Sequence, residues 1–470
     1  MYSDPAEVIR KGISSGIRHD FVPFIEKVFL SLHPGTPFLP NWHIELLAEY
    51  LEACRKKELR RLIINMPPRN LKSIVVSVAW PAFVLGHNPA CKIMAASYAA
   101  PLSEKHSLDC RNIVQSDWYR EIFPDVMLAR DQNEKHKFAT TEFGHRIAVS
   151  VGGSATGEGG ELLIVDDPQS AMMAMSEANR QFTRDWFDHT FLTRLNDKHQ
   201  GVIVLVMQRL HEEDLSGHLL GKGGWEHLLL PAMAEREMSY HFGHFTKMRK
   251  AGEPLHPERE DEALILEAKR GLGSYMFAAQ YQQNPLPLEG GMIRREWLNR
   301  YNSRPENITA IVQSWDTAIK AGDRHDASVC LTFGQNGQAS YLLDVQVVRA
   351  EYPELKRLVL KLADEWEPEW ILMEDKASGQ SLLQDLRRDS RLPLIPVMPR
   401  ADKVTRLAAA SALIEAGRFY LPKEASWLVE FERELLAFPK APHDDQVDAL
   451  AQYLNWLKQK NGAKANIRPL

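Results

Sequence analysis

The chain has 470 residues, 44% of them hydrophobic and 25% charged, which is the make-up of an ordinary globular protein with ample core for two or three domains. A net charge of −5 excludes a global field for nucleic acid, so any polyanion site must be local. No apolar run reaches the ~18 residues of a membrane span, the N-terminus "MYSDPAEVIRKG" is polar, and Cys54, Cys91, Cys110 and Cys330 lack metal or redox spacing, so a soluble protein of a reduced cytosol, off the membrane, is expected.

In chain order, "RLIINM" (61–66) reads as a buried strand and "KSIVVSVAWPAFVLG" (72–86) as the helix after it. "CKIMAAS" (91–97) is a second strand, followed by a helix over "PLSEKHSLDCRNIVQS". "HRIAVSVGG" (145–153), "ELLIVDD" (161–167) and "GVIVLVMQR" (201–209) are three more strands. Short apolar runs alternating with helices predict a mostly parallel α/β sheet buried on both faces. From about 235 to 300 the chain is polar and partly helical, and "NPLPLEGGMIRREW" (284–297) reads as an interdomain connection. A second α/β pattern follows. "AIVQSWDTA" (310–318), "ASVCLTFG" (327–334) and "SYLLDVQVVRA" (340–350) are consecutive strands joined by turns with Gly322 and Gly337. A helix (352–366), the strand "EWILMED" (369–375) and further helices complete it. The expected domains are 1–285, a linker at 286–305, and 306–470 with the basic tail "LKQKNGAKANIRPL", which is either an unstructured end or a docking peptide.

Between the first strand and its helix lies "IINMPPRNLKS". Lys72-Ser73 is the ending of the Walker A pattern, but Met66 and Leu71 stand where its glycines belong. A phosphate loop needs an abrupt strand end, backbone N–H groups facing the anion, and a helix N-terminus behind them. All three contexts surround Pro67, Pro68, Arg69, Asn70 and Leu71, and the prolines rigidify what glycines usually shape. Lys72 would place its charge on the β/γ-phosphates and Ser73 its hydroxyl on Mg²⁺, while Arg69 adds a second cation. Alone, a Lys-Ser pair is also an ordinary solvated first turn.

The support is "ELLIVDDP", a Walker B pattern. Asp166 would hold the Mg²⁺ and its waters, and Asp167 would orient or deprotonate the attacking water. An Asp-Asp-Pro turn capping a helix is the plainer alternative. Glycine-dense "GGSATGEGG" (152–160) precedes it as a lid or sensor. Gln208 and Arg209 end a strand where open α/β sheets bind ligands, as a γ-phosphate sensor, a coupling element, or simply a polar strand end.

The second half carries acids at Asp316, at Glu374-Asp375, and at Asp444, Asp445 and Asp448 in "PHDDQVDALAQYL". On a helix 445 and 448 share a face, as do 444 and 448. Together they suit two divalent ions about 3.5–4 Å apart for phosphodiester hydrolysis. Singly, each suits a cap or a solvated charge. The order strand-Asp, hairpin strands, strand-Glu, helix-Asp resembles the RNase H-like nuclease fold.

The motifs "PPRNLKS", "TGEGGELLIVDDP", "VMQRLHEEDLSG", "SWDTA", "MEDKASG" and "HDDQVDALA" occur in that order over roughly 40–455. Together they resemble the large subunit of a tailed-phage DNA-packaging terminase. The resemblance implies an N-terminal RecA-like ATPase of the additional-strand type and a C-terminal RNase H-like endonuclease. It implies ATP with Mg²⁺ at the first site and two Mg²⁺ or Mn²⁺ at the second, held by Asp316, Glu374, Asp445 and Asp448. Implied partners are double-stranded DNA, a small terminase subunit, the portal of the procapsid, and copies of itself in a ring, in the bacterial cytoplasm. The family's adenine-contacting segment maps to "FLPNWHIELLAEYL" (38–51), which lacks the usual glutamine, and the Walker B pair is Asp-Asp where many relatives have Asp-Glu. A helicase-like ATPase with a DNA-binding second domain, or a capsid-assembly protein with vestigial sites, are the competing readings. The three-acid set disfavours the first, and Lys72, Asp166, Asp316 and Glu374 disfavour the second.

Overall fold

The structure is a computed structural model that describes residues 16–153, 157–285, 291–317, 327–375, 377–399, 401–441 and 443–465. It divides into two compact units, residues 1–268 with 276–286, and 269–275 with 287–470.

Unit one is built on eight strands: β1 (Arg61–Asn65), β2 (Lys92–Ser97), β3 (Leu128–Asn133), β4 (Lys137–Thr140), β5 (His145–Ser150), β6 (Leu162–Asp166), β7 (Val202–Met207) and β8 (Glu226–Leu229). Their order is β3-β4-β5-β2-β6-β7-β1-β8. From β5 to β8 every pairing is parallel, and β3 and β4 add an antiparallel edge. The runs "LIIN" and "VIVLVM" are buried throughout, because helices cover both faces of a parallel sheet. β7 lies between β1 and β6, which is the additional-strand RecA-like order. After β1 the chain makes a π-helical segment, Ile74–Ala79, before the α-helix Trp80–His87, where one continuous α-helix is expected from the sequence. A π segment widens the helix by one residue per turn and is frequent beside functional sites.

The polar stretch after 235 holds more strand than its composition suggests. β9 (Met238–Phe242) and β10 (Phe245–Arg249) form a separate hairpin. Their pairing needs no apolar run, since one face rests on Trp42 and Tyr50 by ring contacts from Tyr240, Phe242 and Phe245.

Unit two has one mixed sheet of β11 (Asn299–Tyr301), β12 (Ala310–Asp316), β13 (Ser328–Asn336), β14 (Ala339–Val348), β15 (Trp370–Glu374), β16 (Leu394–Val397) and β17 (Phe419–Pro422). The order is β11-β17-β14-β13-β12-β15-β16. β12, β13 and β14 form the expected antiparallel meander, and β15 adds parallel to β12, which is an RNase H-like core. The turn expected at Gly322 lies outside the described residues. Within the stretch expected as linker, Asn299–Tyr301 pairs with β17, so ordered sheet reaches into it. The helix Asp445–Ala465 runs into the basic tail, and residues 466–470 lie outside the described residues.

Two acid clusters as candidate functional sites

In unit one the loop after β1 turns without glycine. Arg69 and Leu71 take left-handed backbone angles, φ 66° and 65°, on either side of buried Asn70. Leu71 stands where the Walker pattern has its second glycine, so the bend is kept and a leucine bears its strain, of order 1–2 kcal/mol. Pro67 is buried, Pro68 partly so, and Asn70 Nδ2 donates to the Pro68 carbonyl at 3.1 Å. Val75 N donates to the Leu71 carbonyl at 2.9 Å, which starts the helix directly behind the loop.

β6 ends at the same edge of the sheet. Lys72 Nζ lies 2.8 Å from Asp167 Oδ2. Ser73 Oγ donates to Asp166 Oδ1 at 3.1 Å, and Ser77 Oγ, one turn on, donates to Oδ2 at 2.7 Å. Burial pushes both carboxyls above their ordinary range, and Lys72 opposes the shift. Asp167 has φ 44°, and its carboxylate also accepts from Gln208 N at 3.3 Å. The structure thus gathers Lys72, Ser73, Asp166, Asp167 and Gln208 at the C-terminal ends of β1, β6 and β7. Gln208 Oε1 is buried without a hydrogen-bond partner among the described residues. Arg209 points elsewhere, its Nε on the Asp214 carboxylate at 3.0 Å. Arg69 is exposed and has no hydrogen bond or ion pair among the described residues.

Ser77, His106 and Arg146 also join this site. His106 Nδ1 is 3.5 Å from Asp166, and burial pushes its ring down to about 4, so it meets the acid as a neutral imidazole. Arg146, fully buried on β5, donates to the Ser77 carbonyl at 3.0 Å. Only the fourfold spacing of Ser73 and Ser77 on a helix hinted at any of them. His106 and Arg146 come from other elements and carry no motif.

In unit two the register does the positioning. β12 and β15 pair in parallel up to Trp315↔Met373, so Asp316 and Glu374 are the next residues on adjacent strands. The helix Asp445–Ala465 is fastened across β12: Ser314 Oγ donates to the Ala449 carbonyl at 2.8 Å, and Gln452 Nε2 donates to the Trp315 carbonyl at 3.2 Å. That brings Asp445 and Asp448 to the same strand end. The Asp316 carboxyl is pushed up to about 8 by burial, then by the charges of Asp448, Glu374 and Asp445. Asp448 is buried, with Arg406 at 2.9 Å and Lys403 at 2.7 Å. Asp444 stands at the N-cap position, its carbonyl accepting from Asp448 N at 2.9 Å, but its side chain pairs with Lys403 at 2.5 Å. The Glu434 carboxylate takes free amides of the first turn, accepting from Gln446 N at 2.7 Å and Val447 N at 3.1 Å. Lys403, Arg406 and Glu434 were not legible as site residues.

Among the described residues no three His, Cys, Asp or Glu side chains stand close enough to grip an ion as placed. The donor chemistry does fit one. Four carboxylates at one strand end, one of them raised to about 8 by burial and the others, are an excess of negative charge that a divalent cation neutralises. A cavity of about 820 Å³ adjoins Asp445, with Trp427, Arg349 and His443 in its wall.

Glycine is required at one point of this site. A Cβ on Gly379 would lie 2.0 Å from the Glu374 carbonyl. Gly379→Ala is therefore expected to displace the end of β15 and, as overpacking does, to destabilise unit two by about 1–3 kcal/mol. Thermal melting checks it, and a melting temperature equal to the parent's would show that the Glu374 carbonyl gives way freely.

Residues 313–457 match the family model described as terminase RNaseH-like domain. No curated protein matches the chain in sequence. The large terminase of a thermophilic bacteriophage is 10% identical with a TM-score of 0.55, over 89% of this chain and 99% of that one. The same phage's enzyme in complex with ADP is 11% identical with a TM-score of 0.53, again over 89% and 99%. Its complex with ATP-gamma-S gives 10% and 0.52, over 87% and 98%. At such identities these likenesses establish the two-unit fold. In the described residues no helix is long and apolar enough to cross a membrane, and all four cysteines are free and buried.

Proposed function

We propose that the chain is a phage terminase large subunit, which hydrolyses ATP to drive double-stranded DNA into a procapsid and cuts the concatemeric DNA with divalent ions, a reading supported by the RNase H-like family match over residues 313–457 and by the likeness in fold to a large terminase. What carries this reading is that one chain holds both clusters, Lys72 2.8 Å from Asp167 in one unit and Asp316 crowded by three carboxylates in the other.

In the first unit the loop amides and Lys72 bind the β- and γ-phosphates, a role that requires Lys72 to leave Asp167. Asp167, so released, orients or deprotonates the attacking water, and Gln208 holds the γ-phosphate end through its amide. Ser73 and Asp166 would hold Mg²⁺, which neutralises charge on the phosphates. The nucleotides in the complexes of the thermophilic phage's enzyme support ATP as the substrate.

In the second unit Asp316, Glu374, Asp445 and Asp448 would hold Mg²⁺ or Mn²⁺, ions that supply a nucleophile and stabilise the leaving oxygen. The strand ends fix Asp316 and Glu374, and the fastened helix brings the other two acids. DNA, a small terminase subunit, the portal and a ring of copies are the partners this reading entails, in the host cytoplasm.

Arg69 belongs to the same reading. Exposed on the loop, it reaches a nucleotide bound to its own or a neighbouring copy. Arg69→Ala is expected to keep nucleotide binding and lose turnover by roughly 10³-fold. Equal modest losses of binding and turnover would make it a ground-state contact only. The whole proposal is tested by plasmid cutting with Mn²⁺ beside ATP hydrolysis on one preparation. A protein lacking either activity refutes that half of it.

A further inference from the structure

Two cations stand at the acid cluster of unit two, and they are held differently. The helix Lys403–Glu415 is capped by Asp402, which accepts from Thr405 N at 2.8 Å. Lys403 and Arg406, one turn apart at its start, therefore face the acids together. Asp448 divides its oxygens between them: Oδ1 takes Arg406 at 2.9 Å and Oδ2 takes Lys403 at 2.7 Å. Arg406 also lies 3.8 Å from Glu374, and its side chain is 14% exposed, whereas that of Lys403 is 42% exposed. The guanidinium is packed in place. The ammonium sits on a flexible four-carbon stem at the solvent side.

Any ion that takes Asp448 as a ligand needs one of its oxygens. Oδ1 is locked to the enclosed Arg406, so Oδ2 is the one to be vacated. Lys403 already touches a second carboxylate, Asp444 Oδ1 at 2.5 Å, further out on the rim. Leaving Asp448 therefore does not leave the ammonium unpaired.

We propose that Lys403 is a tethered internal cation, which occupies Asp448 in the ion-free protein and swings to Asp444 alone when a divalent ion enters. It lets four mutually repelling carboxylates fold without an ion, and by competing it weakens the cluster's affinity for one. The inference rests on the reading of unit two as a metal-dependent nuclease. A half-exposed ion pair and one unit of nearby positive charge together make the expected competition about three- to tenfold in affinity.

The test is calorimetric titration of the full-length, nucleotide-free protein with Mn²⁺, using Asp316→Asn to identify the binding that belongs to unit two. Lys403→Gln should bind Mn²⁺ about three- to tenfold more tightly than the parent and melt at a lower temperature without it. Lys403→Arg, which keeps the charge, should bind near the parent affinity. In the parent, acylation of the Lys403 amine, followed by peptide mass spectrometry, should accelerate on adding Mn²⁺. A parent that binds no Mn²⁺ in unit two overturns the nuclease reading beneath the proposal. A parent that binds it while Lys403→Gln binds no more tightly overturns the proposal alone. If Lys403→Gln does not fold, the labelling decides, and an amine equally reactive with and without Mn²⁺ overturns it.

Discussion

ATP hydrolysis by Lys72→Arg is expected to fall by at least about 10²-fold, the scale of losing one preorganised charge from a phosphoryl-transfer site. The variant keeps the cation that Asp167 meets at 2.8 Å. A planar guanidinium does not reproduce a compact ammonium at a glycine-free turn, so the fold is kept and the chemistry lost. Lys72→Ala should lose activity equally but also destabilise unit one. It leaves Asp166 and Asp167 adjacent and largely enclosed with no ammonium between them, and stripping one partner from a buried pair costs about 3–5 kcal/mol. DNA cleavage should persist in Lys72→Arg, since the other acid cluster lies in unit two. Phosphate release, nicking and thermal melting on the same preparations check all three statements. Phosphate release near the parent rate in both variants would remove the loop from the ATP site.

Asp316→Asn is expected to abolish cleavage and, unusually for a buried substitution, to make the ion-free protein more stable at alkaline pH. The carboxyl is pushed up to about 8 in the fold, by burial and by Asp448, Glu374 and Asp445. An unfolded Asp titrates at about 3.9. The folded state therefore binds the extra proton, and its stability declines as pH rises from about 4 to about 8, through the window between those two values. Asparagine removes this dependence, so the variant's melting temperature should exceed the parent's at about pH 8 and converge with it near about pH 4. Mn²⁺ should narrow that difference, because an ion that binds the folded parent stabilises it by roughly 2.7 kcal/mol at a hundredfold excess over Kd, and the variant forgoes this. Cleavage surviving in Asp316→Asn would sink the two-ion assignment. Loss of ATP hydrolysis together with cleavage would mean misfolding, which circular dichroism detects.

The strands that carry the chemistry were legible because they are central. Buried on both faces, β1, β6, β7 and β15 carry short apolar runs, and the polar residues at or after their ends, Lys72-Ser73 beyond the loop, Asp166-Asp167, Gln208 and Glu374, stand out against them, whereas β12 (AIVQSWD) already mixes Gln313 and Ser314 into its run before Asp316. Their grouping at strand ends follows from parallel pairing, which puts all C-termini at one edge. The sequence by itself therefore determined two α/β units, their order, and the residues at the two sheet edges.

The rest was decided by contacts between residues far apart in the chain. β3 ("LARDQN") and the β9–β10 hairpin have no periodic apolar pattern, since they are edge or two-stranded pieces whose faces are partly wet. Ser77 and His106 reach Asp166, and Arg146 reaches the Ser77 carbonyl, from three elements. Lys403 and Arg406 reach Asp448 from a separate helix, Arg406 across 42 positions of chain. No local pattern marks a charge whose partner is chosen by packing. Whether Asp444, Asp445 or Asp448 faces Asp316 was equally undecidable from helical spacing. Only the fastening of Gln452 and Ala449 to β12, and the hold of the Glu434 carboxylate on the first-turn amides, set the rotation that buries Asp448 and leaves Asp444 to Lys403. Local physics names the carboxylates, and the rotation of one packed helix assigns their neighbours.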